Sequence, residues 1–143
     1  MIAVDTNILV HAHREDSPQH RAAFRSLTLL AEQGDPWGLP WPCVHEFLAV
    51  VTHARVFRPP TALSRAIAAI DGLLGTSGAV LFAEGAGYWR ELKTQLHGSR
   101  VTGPRVHDAR IVALCREHGF TELWTADRDF TRFRGLRIRN PLA

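Results

Sequence analysis

The sequence has few of the residues that mark several common classes of protein. Of its 143 residues, 2 are cysteines and only Lys93 is a lysine. Cys43 and Cys115 are far apart, and neither lies in a Cys-x-x-Cys or Cys-x-x-His spacing that indicates a zinc or redox site. We therefore interpret both cysteines as packing residues.

Long apolar segments are also missing. No run approaches the roughly 18 residues that a membrane-spanning helix needs, and the first residues lead directly to Asp5 without the regions of a secretion signal. We expect a cytoplasmic protein without membrane association. A hydrophobic content of 45% is ordinary for a folded protein, and the length fits a single domain over residues 1–143.

Basic residues are unevenly distributed along the chain. Residues 1–89 contain 6 basic and 8 acidic side chains, whereas residues 90–143 contain 11 basic and 6 acidic ones. A basic region of this kind is typical of proteins that contact phosphate backbones. A GC-rich genome would also favour arginine over lysine, but it would not confine the excess to one part of the chain.

Short apolar segments alternate with segments of helical periodicity. The pattern predicts strands at 2–4, 37–39, 79–82, 122–125 and 136–138. Such alternation favours an α/β protein with three layers, in which helices cover both faces of a central, mainly parallel sheet. Ligands of such sheets bind beyond the carboxyl ends of the strands.

Helix boundaries are predicted from capping residues and prolines. We expect Ser17 to cap a helix that begins at Pro18 and stops before Gly34, and Thr61 to cap a later one. The apolar stripe of that later helix comprises Leu63, Ala66, Ile67, Ile70 and Leu74. Further helices are predicted at 43–54, 86–97 and 107–118.

Four acidic residues lie at the ends of these elements: Asp5, Glu46, Asp108 and Asp127. Individually, Asp5 and Asp108 could serve as helix-capping or dipole residues, Glu46 could be solvated and Asp127 could belong to a turn. Four acids at one sheet edge without matching bases would repel each other, which favours a site for a hard cation. Oxygen ligands alone select Mg²⁺ or Mn²⁺.

The motifs that contain these acids resemble those of the PIN domain, in the family's order. They are residues 2–7, the helix of Glu46, residues 107–113 and residues 124–130. The resemblance covers nearly the whole chain and is closest to the VapC toxins of bacterial toxin–antitoxin modules, particularly actinobacterial ones.

The resemblance implies roles for individual residues. The four acids correspond to the family's catalytic, metal-binding tetrad, with Asp129 as a reserve ligand for Asp127. Three neighbours would orient the acids by hydrogen bonds: Thr6, Asn7 and Thr125. Four arginines near the acids in the sequence are candidates to bind RNA phosphates: Arg100, Arg105, Arg110 and Arg128.

The function implied is that of a Mg²⁺- or Mn²⁺-dependent endoribonuclease toxin that inhibits translation. A bound cation would activate water for attack on a phosphodiester, which leaves a 5′-phosphate and a 3′-hydroxyl. The family also implies a homodimer and a cognate VapB-like antitoxin that covers the acidic groove.

Three other hypotheses are weaker. An aspartate-nucleophile phosphatase would need a second acid where Asn7 stands and a lysine near the site. A histidine metal site is disfavoured because no His pair has the HExxH spacing, and because His45 and Glu46 are adjacent and should point in different directions. A module that binds RNA or a partner without catalysis remains an alternative.

Overall fold

The centre of the molecule is a sheet of five strands. The computed structural model describes all residues, 1–143. The strands are β1 (Ile2–Val4), β2 (Trp37–Pro40), β3 (Ala79–Phe82), β4 (Glu122–Trp124) and β5 (Arg137–Arg139). All pairings are parallel, in the order β3-β2-β1-β4-β5. The predicted parallel sheet is therefore confirmed.

Six helices connect the strands. They are α1 (Thr6–His13), α2 (His20–Glu32), α3 (Trp41–Val51), α4 (Leu63–Leu74), α5 (Tyr88–Ser99) and α6 (Val106–Glu117). Short 3-10 helices lie at Gly103–Arg105, before α6, and at Arg128–Arg132, after β4. No helix is both long enough and apolar enough to cross a membrane.

Both faces of the sheet are covered by apolar cores. Ala3 of β1 packs in a core that includes Leu114 of α6, whereas its neighbour Val4 packs in a core that includes Phe47 of α3. The first core lies under α5 and α6, and the second lies under α1 to α4. This arrangement confirms the three-layer α/β/α architecture, because adjacent strand residues point to opposite faces.

The chain reverses its progress across the sheet at β1. β2 and β3 lie on one side of β1, and β4 and β5 lie on the other. The carboxyl ends of β2 and β4 therefore flank that of β1, and the segments that follow these three strands meet at one edge. In parallel sheets a ligand cleft forms at such a switch point.

Two predicted helix caps are wrong. α2 begins at His20, and the hydroxyl of Ser17 instead accepts the N–H of Gln19 in a preceding turn. α4 begins at Leu63 with Ala62 at the cap position, and the hydroxyl of Thr61 instead lies 3.0 Å from His13 Nε2 and accepts a hydrogen bond from Arg14 at 3.2 Å. In both cases the side chain stabilises a loop contact in place of the helix end.

Two other helix predictions need correction. α3 ends at Val51, before the predicted end near Ala54, because the following residues form a turn. In α4, Ala66 and Ile70 are buried as expected, but Leu63 is 62% exposed and Ile67 is 48% exposed. The apolar stripe of α4 is therefore wider than the face that packs on the sheet.

Candidate active site

Four acidic side chains line one cleft at the carboxyl edge of the sheet. Asp5 follows β1, Glu46 lies in the second turn of α3, Asp108 lies in the first turn of α6, and Asp127 precedes the second 3-10 helix. The cleft has a volume of about 750 Å³. The structure thus brings together the four acids that the sequence places at element ends.

Asp5 is the most deeply buried of the four acids, with an exposed fraction of 6%. Its Oδ1 accepts the N–H of Thr6 at 2.8 Å, so Asp5 also caps α1. Its Oδ2 accepts hydrogen bonds from the Asn7 amide at 3.0 Å and the Thr125 hydroxyl at 2.8 Å. Burial raises the pKa of Asp5 to about 6, although the hydrogen bonds from Thr125 and Thr6 oppose the shift.

Thr6 links Asp5 to the acid on α3. Its hydroxyl donates to Glu46 Oε2 at 3.1 Å and lies 3.4 Å from the carbonyl oxygen of Cys43. The Cys43 thiol donates to Asp5 Oδ1 at 3.5 Å. Burial raises the pKa of this thiol well above its ordinary value, so the thiol keeps its proton. Cys43 therefore contacts the site as well as packing in the core, a role the sequence analysis missed.

Asn7 and Thr125 join the ends of β1 and β4. The Asn7 amide donates to the Thr125 hydroxyl at 3.0 Å, and its carbonyl oxygen accepts the N–H of Ala126 at 2.9 Å. The same Thr125 hydroxyl accepts the N–H of Asp127 at 3.0 Å. These bonds fix the segment that carries Asp127 relative to Asp5.

Arg105 contacts the acids on the opposite side of the cleft. Its Nη1 lies 3.3 Å from Asp108 Oδ2, and its Nη2 pairs with Asp129. Burial and the neighbouring Asp127 carboxylate raise the pKa of Asp108, although Arg105 acts to lower it. Arg105 therefore neutralises only part of the negative charge here.

Asp127 and Asp129 have different surroundings. Asp127 lines the cleft, and its Oδ1 accepts the N–H of Asp129 at 2.9 Å. Asp129 pairs with Arg105 and lies 3.9 Å from Arg132, and it does not line the cleft. This placement favours Asp127 over Asp129 as a metal ligand.

The other predicted arginines differ in whether they line the cleft. Arg110 lines the cleft, but its Nε donates to Glu84 at 2.6 Å. Arg128 and Arg100 are exposed and do not line the cleft, and Arg100 ends α5 with a φ of 59°. Lys93 lies over the ring of Trp89, outside the cleft, where a phosphatase mechanism could not use it.

Three histidines line the cleft with the acids: His11, His45 and His107. His45 and Glu46 are adjacent in sequence, and both border the cleft. A histidine directly before an acid in two motifs was the signal that the sequence analysis did not use.

The donor set fits a hard divalent cation. The acids act on each other in pairs, since Glu46 raises the pKa of Asp5 and Asp127 raises that of Asp108. Carboxylate oxygens without thiolates are the ligands of Mg²⁺ and Mn²⁺. No three such groups converge on one point, so a cation would draw side chains together. Glu46 is exposed, and the hydrogen bond from the Thr6 hydroxyl links its carboxylate to the rest of the site.

Comparison with known proteins reveals similarity over nearly the full length. The PIN domain profile matches residues 2–136. The chain is 38% identical over 142 residues to ribonuclease VapC43 of Mycobacterium tuberculosis, covering 99% of this chain and 96% of VapC43. It is 34% identical over 140 residues to ribonuclease VapC48 of the same species, covering 97% and 96%.

Solved structures share the fold. The crystal structure of VapBC2 from Rickettsia felis, bound to a DNA fragment from the promoter, matches with a TM-score of 0.68 and 20% identity over 98% of each chain. VapC20 of Mycobacterium tuberculosis, a sarcin–ricin loop cleaving toxin, matches with a TM-score of 0.65 and 20% identity, covering 96% of this chain and 99% of VapC20.

Proposed function

The chain belongs to the PIN-domain family, and we propose that it is a metal-dependent endoribonuclease that acts as the toxin of a toxin–antitoxin module and inhibits translation. The observation that carries this proposal is the arrangement of Asp5, Glu46, Asp108 and Asp127 around one cleft. The similarity to VapC43 and VapC48, both named ribonucleases, supports the same substrate class.

The four acids are assigned as the ligands of Mg²⁺ or Mn²⁺, with Asp127 preferred to Asp129. When bound, the cation supplies charge neutralisation and activation of water for phosphodiester hydrolysis. Thr6, Asn7 and Thr125 hold the acidic side chains in place, because their hydrogen bonds fix Asp5 and the turn that contains Asp127. Hydrolysis by water leaves a 5′-phosphate and a 3′-hydroxyl.

The arginines are assigned to RNA. Arg105 and Arg110 border the acids, and each forms an ion pair with a carboxylate that a phosphate could replace. Arg128 and Arg100 are exposed outside the cleft, where they would contact the strand further from the cut.

A noncatalytic module is the second candidate. The observation that favours it is the pairing of Arg105 with Asp108 and Asp129. In addition, no three acids converge on one point. Such a protein would bind RNA or a partner without cleaving it.

Two protein partners are part of the proposal. A cognate VapB-like antitoxin would cover the acidic groove, and a second copy of the chain would form a homodimer. The solved VapBC2 structure, which shares this fold, supports the first of these partners.

Cleavage of total bacterial RNA by the purified protein tests the proposal. We expect discrete fragments with Mg²⁺ or Mn²⁺ and none with EDTA. Asp5→Asn and Asp108→Asn should each abolish cleavage, while Asp71→Asn, which changes an exposed acid of α4, should retain it. Sequencing of the fragment ends identifies the substrate and the chemistry.

Two results would contradict the proposal. Fragments that end in a 2′,3′-cyclic phosphate would exclude water as the nucleophile. The noncatalytic module would be favoured if the wild type binds RNA without cleaving it and if Asp5→Asn binds RNA with the same affinity.

A further inference from the structure

Two aromatic side chains of α3 lie next to each other beside the cleft, and one of them, His45, lines it. Trp41, the first residue of α3, is 39% exposed. Its ring centroid lies 5.9 Å from that of His45, with the ring planes at 46°. His45 lines the cleft and directly precedes Glu46. Trp41 does not line the cleft itself, but its ring lies next to that of a residue that does.

Trp41 differs from the two buried tryptophans of the chain. Trp37 is fully buried and Trp124 is 7% exposed, and both lie in a core. Trp89 is exposed, but Lys93 Nζ lies 5.7 Å from its ring centroid. Trp41 belongs to neither core, and its aromatic neighbour is His45. Partly exposed tryptophan side chains are enriched at binding interfaces.

The cleft offers few free cations to a phosphate backbone. Arg105 is paired with Asp108 and Asp129, and Arg110 is paired with Glu84. The carboxylates of the cleft also repel phosphates until a cation neutralises them. Stacking of an unpaired base on an aromatic ring needs no positive charge and is a common way to bind single-stranded RNA.

We propose that Trp41 and His45 form a stacking platform for one unpaired base of the RNA, beside the phosphate that enters the cleft. The inference rests on the proposed ribonuclease function and makes the substrate single-stranded at that nucleotide. Because His45 adjoins Glu46, a base on this platform brings a neighbouring phosphate to the acids. Trp41 is then a positioning residue.

The test is binding of a fluorescein-labelled single-stranded oligoribonucleotide, measured by fluorescence anisotropy in Ca²⁺, a hard cation that carboxylates can bind, and repeated in EDTA. The same oligomer is prepared with one base removed at each position in turn. We expect Trp41→Ala to weaken binding of the intact oligomer by about 5- to 150-fold, the range of one stacked base, and Trp41→Phe to weaken it less. Trp89→Ala, the matched exposed tryptophan, should bind as wild type does.

Removal of one particular base should lower the affinity of wild type but not that of Trp41→Ala, because the variant has already lost the stacking contact. Equal affinities of wild type, Trp41→Ala and Trp41→Phe for the intact oligomer would overturn the platform, as would a wild type that does not bind it. If Trp41→Ala and Trp41→Phe instead lower the molecular mass in light scattering, Trp41 belongs to a contact between copies and the inference is wrong.

Failure of the proposed function gives a different result. The wild type could show the Trp41-dependent response to base removal and yet fail to cleave RNA with Mg²⁺ or Mn²⁺. That result would support the stacking platform and contradict the ribonuclease function. Circular dichroism of each variant verifies that the fold is retained.

Discussion

Arg105 places a positive charge against the acids of the cleft. It contacts Asp108 and Asp129, and its charge also acts on Asp127. A guanidinium in this position offsets carboxylate repulsion in the protein without metal, but it repels an incoming divalent cation. The residue that stabilises the metal-free site therefore competes with metal binding.

Arg105→Gln should increase the affinity for Mn²⁺ about fivefold, which corresponds to roughly 1 kcal/mol of lost repulsion near a protein surface. Titration of Mn²⁺, with the free ion followed by electron paramagnetic resonance, measures this change. Arg128→Gln is the matched control, because Arg128 is exposed and lies outside the cleft. Weaker Mn²⁺ binding by Arg105→Gln would show that Arg105 organises the ligands.

Asp5 should make the stability of the metal-free protein depend on pH. Its carboxyl ionises with a pKa of about 6 in the folded protein and near the ordinary value of 3.8 in the unfolded chain. Folding therefore favours the protonated form. The stabilisation is complete below pH 3.8 and is lost as the pH rises through about 6, a total change on the order of 2–3 kcal/mol.

Thermal melting in EDTA at several pH values, for wild type and Asp5→Asn, measures this effect. The difference between the two proteins isolates Asp5 from His11 and His13, whose pKa values are lowered by burial and whose contributions are lost as the pH falls. We expect the variant to gain stability relative to wild type between pH 4 and pH 7. Parallel pH profiles would contradict the shifted pKa.

At the scale of elements, one hydroxyl connects the carboxyl ends of β1 and β4. Thr125 is 1% exposed, and its Oγ1 bonds to Asp5, Asn7 and the N–H of Asp127. Thr125→Val keeps the shape of the side chain but leaves these partners unsatisfied. We expect a loss of about 1–3 kcal/mol in the free energy of unfolding, measured with urea in EDTA.

Thr121→Val is the matched control for this substitution. Thr121 is exposed just before β4, and its hydroxyl makes a long bond of 3.4 Å to the carbonyl oxygen of Met1. Its loss should cost less than about 0.5 kcal/mol. Equal effects of the two substitutions would mean that the hydroxyl of Thr125 does not couple the strands.

The elements themselves could be predicted because their periodicity is local. All five strands and their parallel pairing follow from short apolar segments that alternate with helices. The positions of two acids were also predictable, because Asp5 directly follows β1 and Asp127 lies three residues after the end of β4. The side of the sheet on which α1 to α4 pack could not be predicted, since it depends on contacts between distant residues.

Other features could not be predicted, because the sequence allows more than one hydrogen-bond or ion-pair partner for the same side chain. Ser17 and Thr61 are good capping residues, but the Ser17 hydroxyl accepts the N–H of Gln19 in a local turn, and the Thr61 hydroxyl accepts a hydrogen bond from Arg14, 47 residues away. The ion pairs of Arg105 and Arg110 involve Asp129 and Glu84, which are distant in sequence and become neighbours only after folding. The metal-binding role of the four acids and the RNA-binding role of the arginines remain predictions.

At the scale of the whole molecule, α4 has an apolar face without a partner in the chain. Leu63, Ile67 and Leu74 are all exposed, and at 100° per residue they fall within about 40° of one another. An exposed apolar stripe of this kind is typical of contacts between subunits. We expect the homodimer to form through this face of α4.

Light scattering should give a mass of about twice the 16.0 kDa of one chain. Ile67→Glu should halve that mass, because a charge at the centre of an apolar contact is costly to bury. Ala68→Glu, on another exposed side of α4, should leave the mass unchanged. A monomeric wild type, or a dimer retained in Ile67→Glu, would contradict this interface.

The order of the strands has a consequence for how the protein is made. Asp5 and Glu46 precede the reversal of the chain across the sheet, whereas Asp108 and Asp127 follow it. A nascent chain that has not yet left the ribosome as far as β4 lacks one side of the cleft. The set of four acids is therefore incomplete until Asp127 has been synthesised, 122 residues after Asp5.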